Sequence, residues 1–221
     1  MTKTLLITKS AGETGILKEY CAGVGIKLLM HSFIRFEPVK AEIPGDIEAL
    51  FFGSKRAVDF FLMQAQIPAG TFIACIGSVT LKYLNSLGYE VHFSGAKAGD
   101  PATVALALKA WLGDRRLHVA LSEQSNRSMA RVLHPEQVAE IIVYRTLSAP
   151  VVIAEIPNLV AFTSPSNVTG FLLENEIDPD TTVIAWGKTT EKALNGLGIQ
   201  VHHVLEHSTE EELISWLETI Q

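Results

Sequence analysis

Cysteine is scarce in this chain, with two in 221 residues, and no apolar run approaches the roughly 20 residues that a membrane helix requires. So few cysteines rule out a disulfide-stapled scaffold. Cys21 falls in an expected helix and Cys75 in an expected buried strand, so both read as reduced core thiols. Positive charge is also short. Lys and Arg number 18 against 24 Asp and Glu, giving a net charge of -6 with the cations scattered, which argues against a nucleic-acid partner. The N-terminus has no secretory pattern, and the expectations are cytoplasmic residence, no membrane partner and a monomer.

Several chemistries lack their signatures as well. Gly187-Lys188-Thr189 ends like a phosphate-binding loop, but Thr182 stands where that loop needs glycine. No Gly-x-Ser-x-Gly surrounds Ser164, which disfavours a nucleophile elbow. His202 and His203 are adjacent on an expected strand and point to opposite faces, and a strand end separates His203 from His207, so no metal site is expected. The first strand ends in Thr8, Lys9 and Ser10, without the acidic cluster of a receiver domain.

What the chain does have is a repeat at an offset of 110 residues. Phe52, Ser54, Val58, Phe61 and Leu62 recur as Phe162, Ser164, Val168, Phe171 and Leu172. Gly77, Thr80, Leu84, Leu87, Gly88, Val91 and His92 recur as Gly187, Thr190, Leu194, Leu197, Gly198, Val201 and His202. A duplicated unit in a chain of this length predicts two similar domains, with the repeated loops as walls of a shared cleft. A hydrophobic share of 48% is enough for two cores.

Short β-rich runs alternate with helical stretches, which predicts an α/β fold with parallel sheets covered on both faces. Strands are expected at 4–8, 27–39, 49–52, 72–76, 90–93, 117–121 and 138–146. Helices are expected at 12–22, 55–64, 78–87, 103–112, 125–133 and 209–220, and the strand-helix series of the repeat returns between 160 and 204. The order is a, b, a, b. Either each a folds with the b that follows it, or the chain crosses so that the first a joins the last b. Long strands around 33–40 and 141–148 favour crossing and predict a two-stranded connector.

The segments Phe162-Thr-Ser-Pro-Ser-Asn-Val168, Trp186-Gly-Lys-Thr-Thr-Glu-Lys-Ala-Leu194 with Gly198, and Val143-Tyr-Arg-Thr146 resemble the signature stretches of the uroporphyrinogen-III synthase family. The resemblance implies two flavodoxin-like parallel-sheet domains of one topology joined by a two-stranded β connector. Residues 1–36 with 149–221 would form a discontinuous domain and 37–148 an inserted one. It also implies cofactor-free cyclisation of hydroxymethylbilane, with loss of water and inversion of ring D, to uroporphyrinogen III. The turn Phe52-Gly-Ser-Lys55, Lys188, and the stretch from Ser122 to Arg127 depart from the family pattern.

The linear tetrapyrrole carries eight carboxylates, which calls for N–H donors, and helix N-termini supply them with a partial positive charge. Strand-to-helix turns at Ser54, Ser78, Ser164 and Thr189 place hydroxyls where they can cap a helix or meet an anion. Ser166 lies in the same turn as Ser164. Lys55, Arg56, Arg127 and Lys188 are the cations within reach, and for each the plain alternative is a solvated surface charge. Thr80 and Thr190 match the family's Gly-x-x-Thr turns and would orient acetate or propionate groups. Tyr144 matches the family tyrosine and would donate a proton to the departing hydroxyl, its plain alternative being a packed aromatic. A two-lobed protein binding a small anion or sugar without turnover, and an inactive homologue of the synthase, are the competing readings.

Overall fold

The computed structural model describes residues 3–13, 15–95, 101–125, 127 and 132–220. Its contacts divide the chain into two compact units, Met1–Arg35 with Leu147–Gln221, and Phe36–Thr146. Each is built on a predominantly parallel sheet with helices on both faces.

In the first unit the strands are β1 (Thr4–Ile7), β2 (Lys27–Met30), β9 (Leu159–Phe162), β10 (Thr182–Ala185) and β11 (His203–Val204), ordered β11-β10-β9-β1-β2 and all parallel. Helices α1 (Ile16–Val24) and α7 (Glu210–Thr219) cover one face, and α5 (Pro165–Phe171) and α6 (Lys188–Gly196) the other. Alternation along the strands sorts the core. Leu5, Ile7, Leu159, Ala161 and Ile184 meet Leu17, Cys21, Leu213 and Leu217, whereas Leu6, Val160, Phe162, Val183 and Ala185 meet Val168, Phe171 and Leu194.

The sheet of the second unit is made of β3 (Ile34–Pro38), β4 (Ala49–Phe52), β5 (Phe72–Ile76), β6 (Phe93–Gly95), β7 (Leu117–Ser122) and β8 (Val138–Ser148), ordered β3-β8-β7-β4-β5-β6, with residues 34–35 of β3 and 147–148 of β8 belonging to the first unit. Helices α2 (Lys55–Leu62) and α3 (Ser78–Ser86) lie on one face and α4 (Pro101–Leu112) on the other. Leu50, Phe52, Ile73 and Cys75 point to α2 and α3, and Ala49, Phe51 and Ala74 to α4. Burying a phenylalanine such as Phe52 or Phe162 contributes about 1.5–3 kcal/mol.

The repeat is literal in the hydrogen-bond register. Ala49 pairs with Phe72 and Ala74 with Phe93, and at the 110-residue offset Leu159 pairs with Thr182 and Ile184 with His203. Setting β1 and β2 against β7 and β8 completes one common strand order of the flavodoxin type. The first a strands thus share a sheet with the last b strands. Gly88 (φ 85°) and Gly198 (φ 74°) end the equivalent helices α3 and α6 in the left-handed region that side chains avoid.

Four expectations need correction. The single strand expected over 27–39 breaks at His31–Phe33 into β2 and β3, which belong to different sheets. Phe33 is the cause: its ring is fully buried, its N–H donates to Asn167 Oδ1 (2.8 Å) and its carbonyl accepts from Ala149 N–H (2.8 Å). β3 and β8 are neighbours, and the bonds Val39 N–H to Val143 O and Ala149 N–H to Phe33 O run antiparallel, forming the two-stranded connector. The strand expected at 90–93 starts only at Phe93, because His92 spends its side chain on the neighbouring strand: Nδ1 accepts Ile73 N–H at 3.2 Å. The helix expected over 12–22 becomes a 3-10 turn, Ala11–Glu13, followed by α1. Ser78 and Thr189 are not caps, since Gly77 and Gly187 occupy those positions.

The helix expected over 125–133 lies largely outside the described residues. Both cysteines are free and buried, and burial pushes the Cys21 thiol up to about 11. Among the described residues no helix is long and apolar enough to cross a membrane.

Candidate functional site

Every strand-to-helix turn singled out in the sequence sits at the carboxyl edge of one of the two sheets, where ligands of open α/β sheets bind. The turns are of two kinds. Ser54 and Ser164 are true N-caps, their Oγ atoms accepting the N–H of Ala57 and Asn167 at 3.2 Å. Their hydroxyls are committed to their own helices.

α3 and α6 start without any side-chain cap. Their first turns carry Ser78 and Thr80 in one unit and Lys188, Thr189 and Thr190 in the other, at equivalent positions of the repeat. Ser78, Lys188 and Thr189 are exposed. Thr80 and Thr190 are each 4% exposed, yet neither hydroxyl bonds to a described residue. Uncapped helix starts with orphan N–H groups and an unspent threonine are suited to an anion.

The cations separate as well. Lys55 Nζ lies 4.4 Å from the centre of the Tyr83 ring, and the Arg56 guanidinium 3.4 Å from that of Phe36. Tyr83 donates to Asp59, which raises the tyrosine pKa. Arg127 Nε reaches both carboxylate oxygens of Glu140 (2.8 and 2.9 Å). Glu140 is paired with Val119, well short of the carboxyl edge, so this guanidinium is drawn away from the turns. Ser166 is exposed on α5.

Tyr144 lies at that edge. It pairs with Ser122, the last residue of β7, and its backbone carbonyl accepts Glu123 N–H at 2.9 Å. The side chain is 9% exposed and packs between Phe60, at 5.2 Å between ring centres, and Phe36, at 6.0 Å. Its phenol has no hydrogen-bond partner among the described residues.

Sequence reasoning missed a polar group on the first unit's edge. Thr8 and Thr163, at the ends of adjacent strands β1 and β9, interlock: Thr163 N–H donates to Thr8 Oγ1 (2.8 Å) and Thr163 Oγ1 to the Thr8 carbonyl (2.7 Å). Beside them Lys9 Nζ stands 4.1 Å from the centre of the Trp186 ring and 3.6 Å from Glu210 Oε1. Glu210 Oε2 in turn accepts the N–H of Leu17, closing the start of α1 from 193 residues away. The positions just past β1 and β10 were the available signal.

Among the described residues, no three or more His, Cys, Asp or Glu are grouped so as to hold a metal. A family model described as uroporphyrinogen-III synthase HemD matches residues 16–215. No curated protein matches the chain. Among solved structures, the uroporphyrinogen-III synthetase of Helicobacter pylori 26695 is similar over 100% of both chains, with a TM-score of 0.70 at 18% identity. A mutant uroporphyrinogen III synthase from the extremely thermophilic bacterium Thermus thermophilus is similar over 99% of this chain and 97% of its own, with a TM-score of 0.58 at 16% identity. At such identities these likenesses establish the shared fold, while the family model spans most of the sequence. The chain belongs to the uroporphyrinogen-III synthase family.

Proposed function

We propose that this protein converts hydroxymethylbilane to uroporphyrinogen III, with the two uncapped helix starts as its principal anion contacts. The observation that carries the reading is the twin occurrence of a buried threonine with an unspent hydroxyl, Thr80 and Thr190, in the first turns of α3 and α6 of a chain whose family is this synthase. Acetate and propionate groups accept from those N–H and O–H donors. Lys188 and Thr189 extend the contact in one unit and Ser78, Lys55 and Arg56 in the other, while Ser54, Ser164 and Ser166 shape the neighbouring turns.

The chemistry asks mainly for positioning. Loss of the hydroxymethyl oxygen as water needs one proton, and the azafulvene left behind is attacked by a pyrrole carbon of the same molecule. Holding both ends of the bilane therefore supplies most of the acceleration. Tyr144 is the proton donor in this reading. Its phenol is free of other hydrogen-bond partners among the described residues. Arg127 takes no direct part, being held by Glu140.

Units Met1–Arg35 with Leu147–Gln221 and Phe36–Thr146 correspond, in this proposal, to the family's discontinuous and inserted domains, and the protein works as a cytoplasmic monomer. Incubation with freshly generated hydroxymethylbilane tests the function. Accumulation of the type III isomer is expected. Formation of the spontaneous type I product alone would overturn it.

A further inference from the structure

At the opposite, amino-terminal edge of the second unit's sheet lies a cavity of about 640 Å³. The segment before β4 lines it with Glu42, Asp46 and Glu48, the start of β7 with Arg116 and His118, and the start of β8 with Glu140. None of the turns discussed above borders it.

His118 is 5% exposed, and its Nδ1 is buried without a hydrogen-bond partner among the described residues. Buried polar nitrogens are normally paired, so this one stands out. Burial first, and then the Arg116 guanidinium, lower its pKa against the opposing pull of Asp46 and Glu48. A neutral imidazole has one nitrogen free to accept a hydrogen bond.

Four carboxylates line the cavity against the single guanidinium of Arg116. Two are already engaged: Glu140 with Arg127, and Glu48 Oε2 with the backbone N–H of Arg116 at 2.7 Å. Glu42 and Asp46 have no ion-pair partner among the described residues. The residues here are not grouped as metal ligands.

We propose that this cavity binds a small organic cation with ammonium N–H donors, its charge met by Glu42 and Asp46 and one N–H donated to the imidazole of His118. The proposal is independent of the synthase reaction. Putrescine titrated into the 15N-labelled full chain at constant ionic strength tests it, with the His118 ring nitrogens followed in two-bond 1H–15N spectra. A saturable shift is expected, with affinity weakened at least tenfold in the Glu42→Gln, Asp46→Asn double variant, which folds because both side chains are exposed. Sodium glutarate, the anionic control, is expected to leave the ring nitrogens unmoved. A shift no larger than that produced by sodium chloride, equal affinity in the double variant, or saturable binding of glutarate would each overturn the proposal.

Discussion

Tyr144 lies nearly flat on Phe60, the ring planes inclined by 15° and their centres 5.2 Å apart, because a bulge puts it there. Leu121 pairs with Ile142 but Ser122 pairs with Tyr144, so Val143 is an extra residue in β8. Strict alternation would send Tyr144 to the face opposite Ile141 and Val143. The bulge instead brings all three into the layer under α2.

Removing only the phenol oxygen separates packing from chemistry. Tyr144→Phe keeps the stack on Phe60, so the thermal midpoint should hold while turnover falls by about a hundredfold or more, the usual scale of a lost proton donor. Tyr144→Ala should also lose about 3–5 kcal/mol of stability, as expected for a large aromatic removed from a core. Unchanged turnover in Tyr144→Phe would take the phenol out of the mechanism.

Thr80→Val and Thr190→Val remove hydroxyls that bond to no described residue. Stability should change little. A hydrogen bond to a charged group contributes about 1.5–3 kcal/mol, so KM should rise roughly tenfold or more in each, with kcat less affected. Steady-state kinetics alongside thermal melts decides this, and a destabilised protein with an unaltered KM would assign the threonines to packing.

Gly170 and Gly23 should respond to alanine in opposite directions. A Cβ on Gly170 would stand 2.2 Å from the Phe33 carbonyl oxygen, so Gly170→Ala must displace the entry to the connector and should cost about 1–3 kcal/mol. Gly23 lies within α1 with nothing inside 4 Å of a new Cβ, and Gly23→Ala should stabilise by about 0.5–1 kcal/mol. Urea denaturation of both variants gives the comparison. Similar midpoints for the two would contradict the close approach.

Acid stability should depend on Glu212. Burial raises its pKa, but the N–H groups of Glu206 and His207, which donate to its two oxygens, outweigh that and leave it below the usual value. A depressed carboxylate stabilises the fold fully above its unfolded pKa, about 4.3, and the contribution is lost as pH falls through the lower folded value. Glu212→Gln should therefore be less stable than the parent at pH 7, with the difference shrinking below about pH 4. A gap that stays constant over this range would refute the assignment.

Much of the architecture could be read from the sequence because it rests on local signals. The alternating apolar strands and the Ser54 and Ser164 caps are each set by neighbours a few residues apart, and the repeat at 110 residues is a second copy of those local signals. The site was only partly readable. Capping Ser54 and uncapping Ser78 look alike in a string of letters, yet Gly77 takes the cap position in one turn and no glycine does in the other. Arg127 reads as a turn cation until Glu140 from β8 claims it. Lys9 reads as a strand-end residue until Trp186 and Glu210 gather round it.

The amino-acid order alone determined the duplicated α/β units, the apolar faces of their strands and the family, since periodicity and motif spacing are properties of short stretches. Tertiary structure alone decided where the strand after Met30 breaks, which face Tyr144 occupies, and which hydroxyls and cations are left unspent. Those outcomes depend on partners more than a hundred residues away, such as Asn167 for Phe33 and Glu210 for Leu17, and on a one-residue shift of register. Local pattern carries no information about either, because both are set by what the folded chain brings alongside.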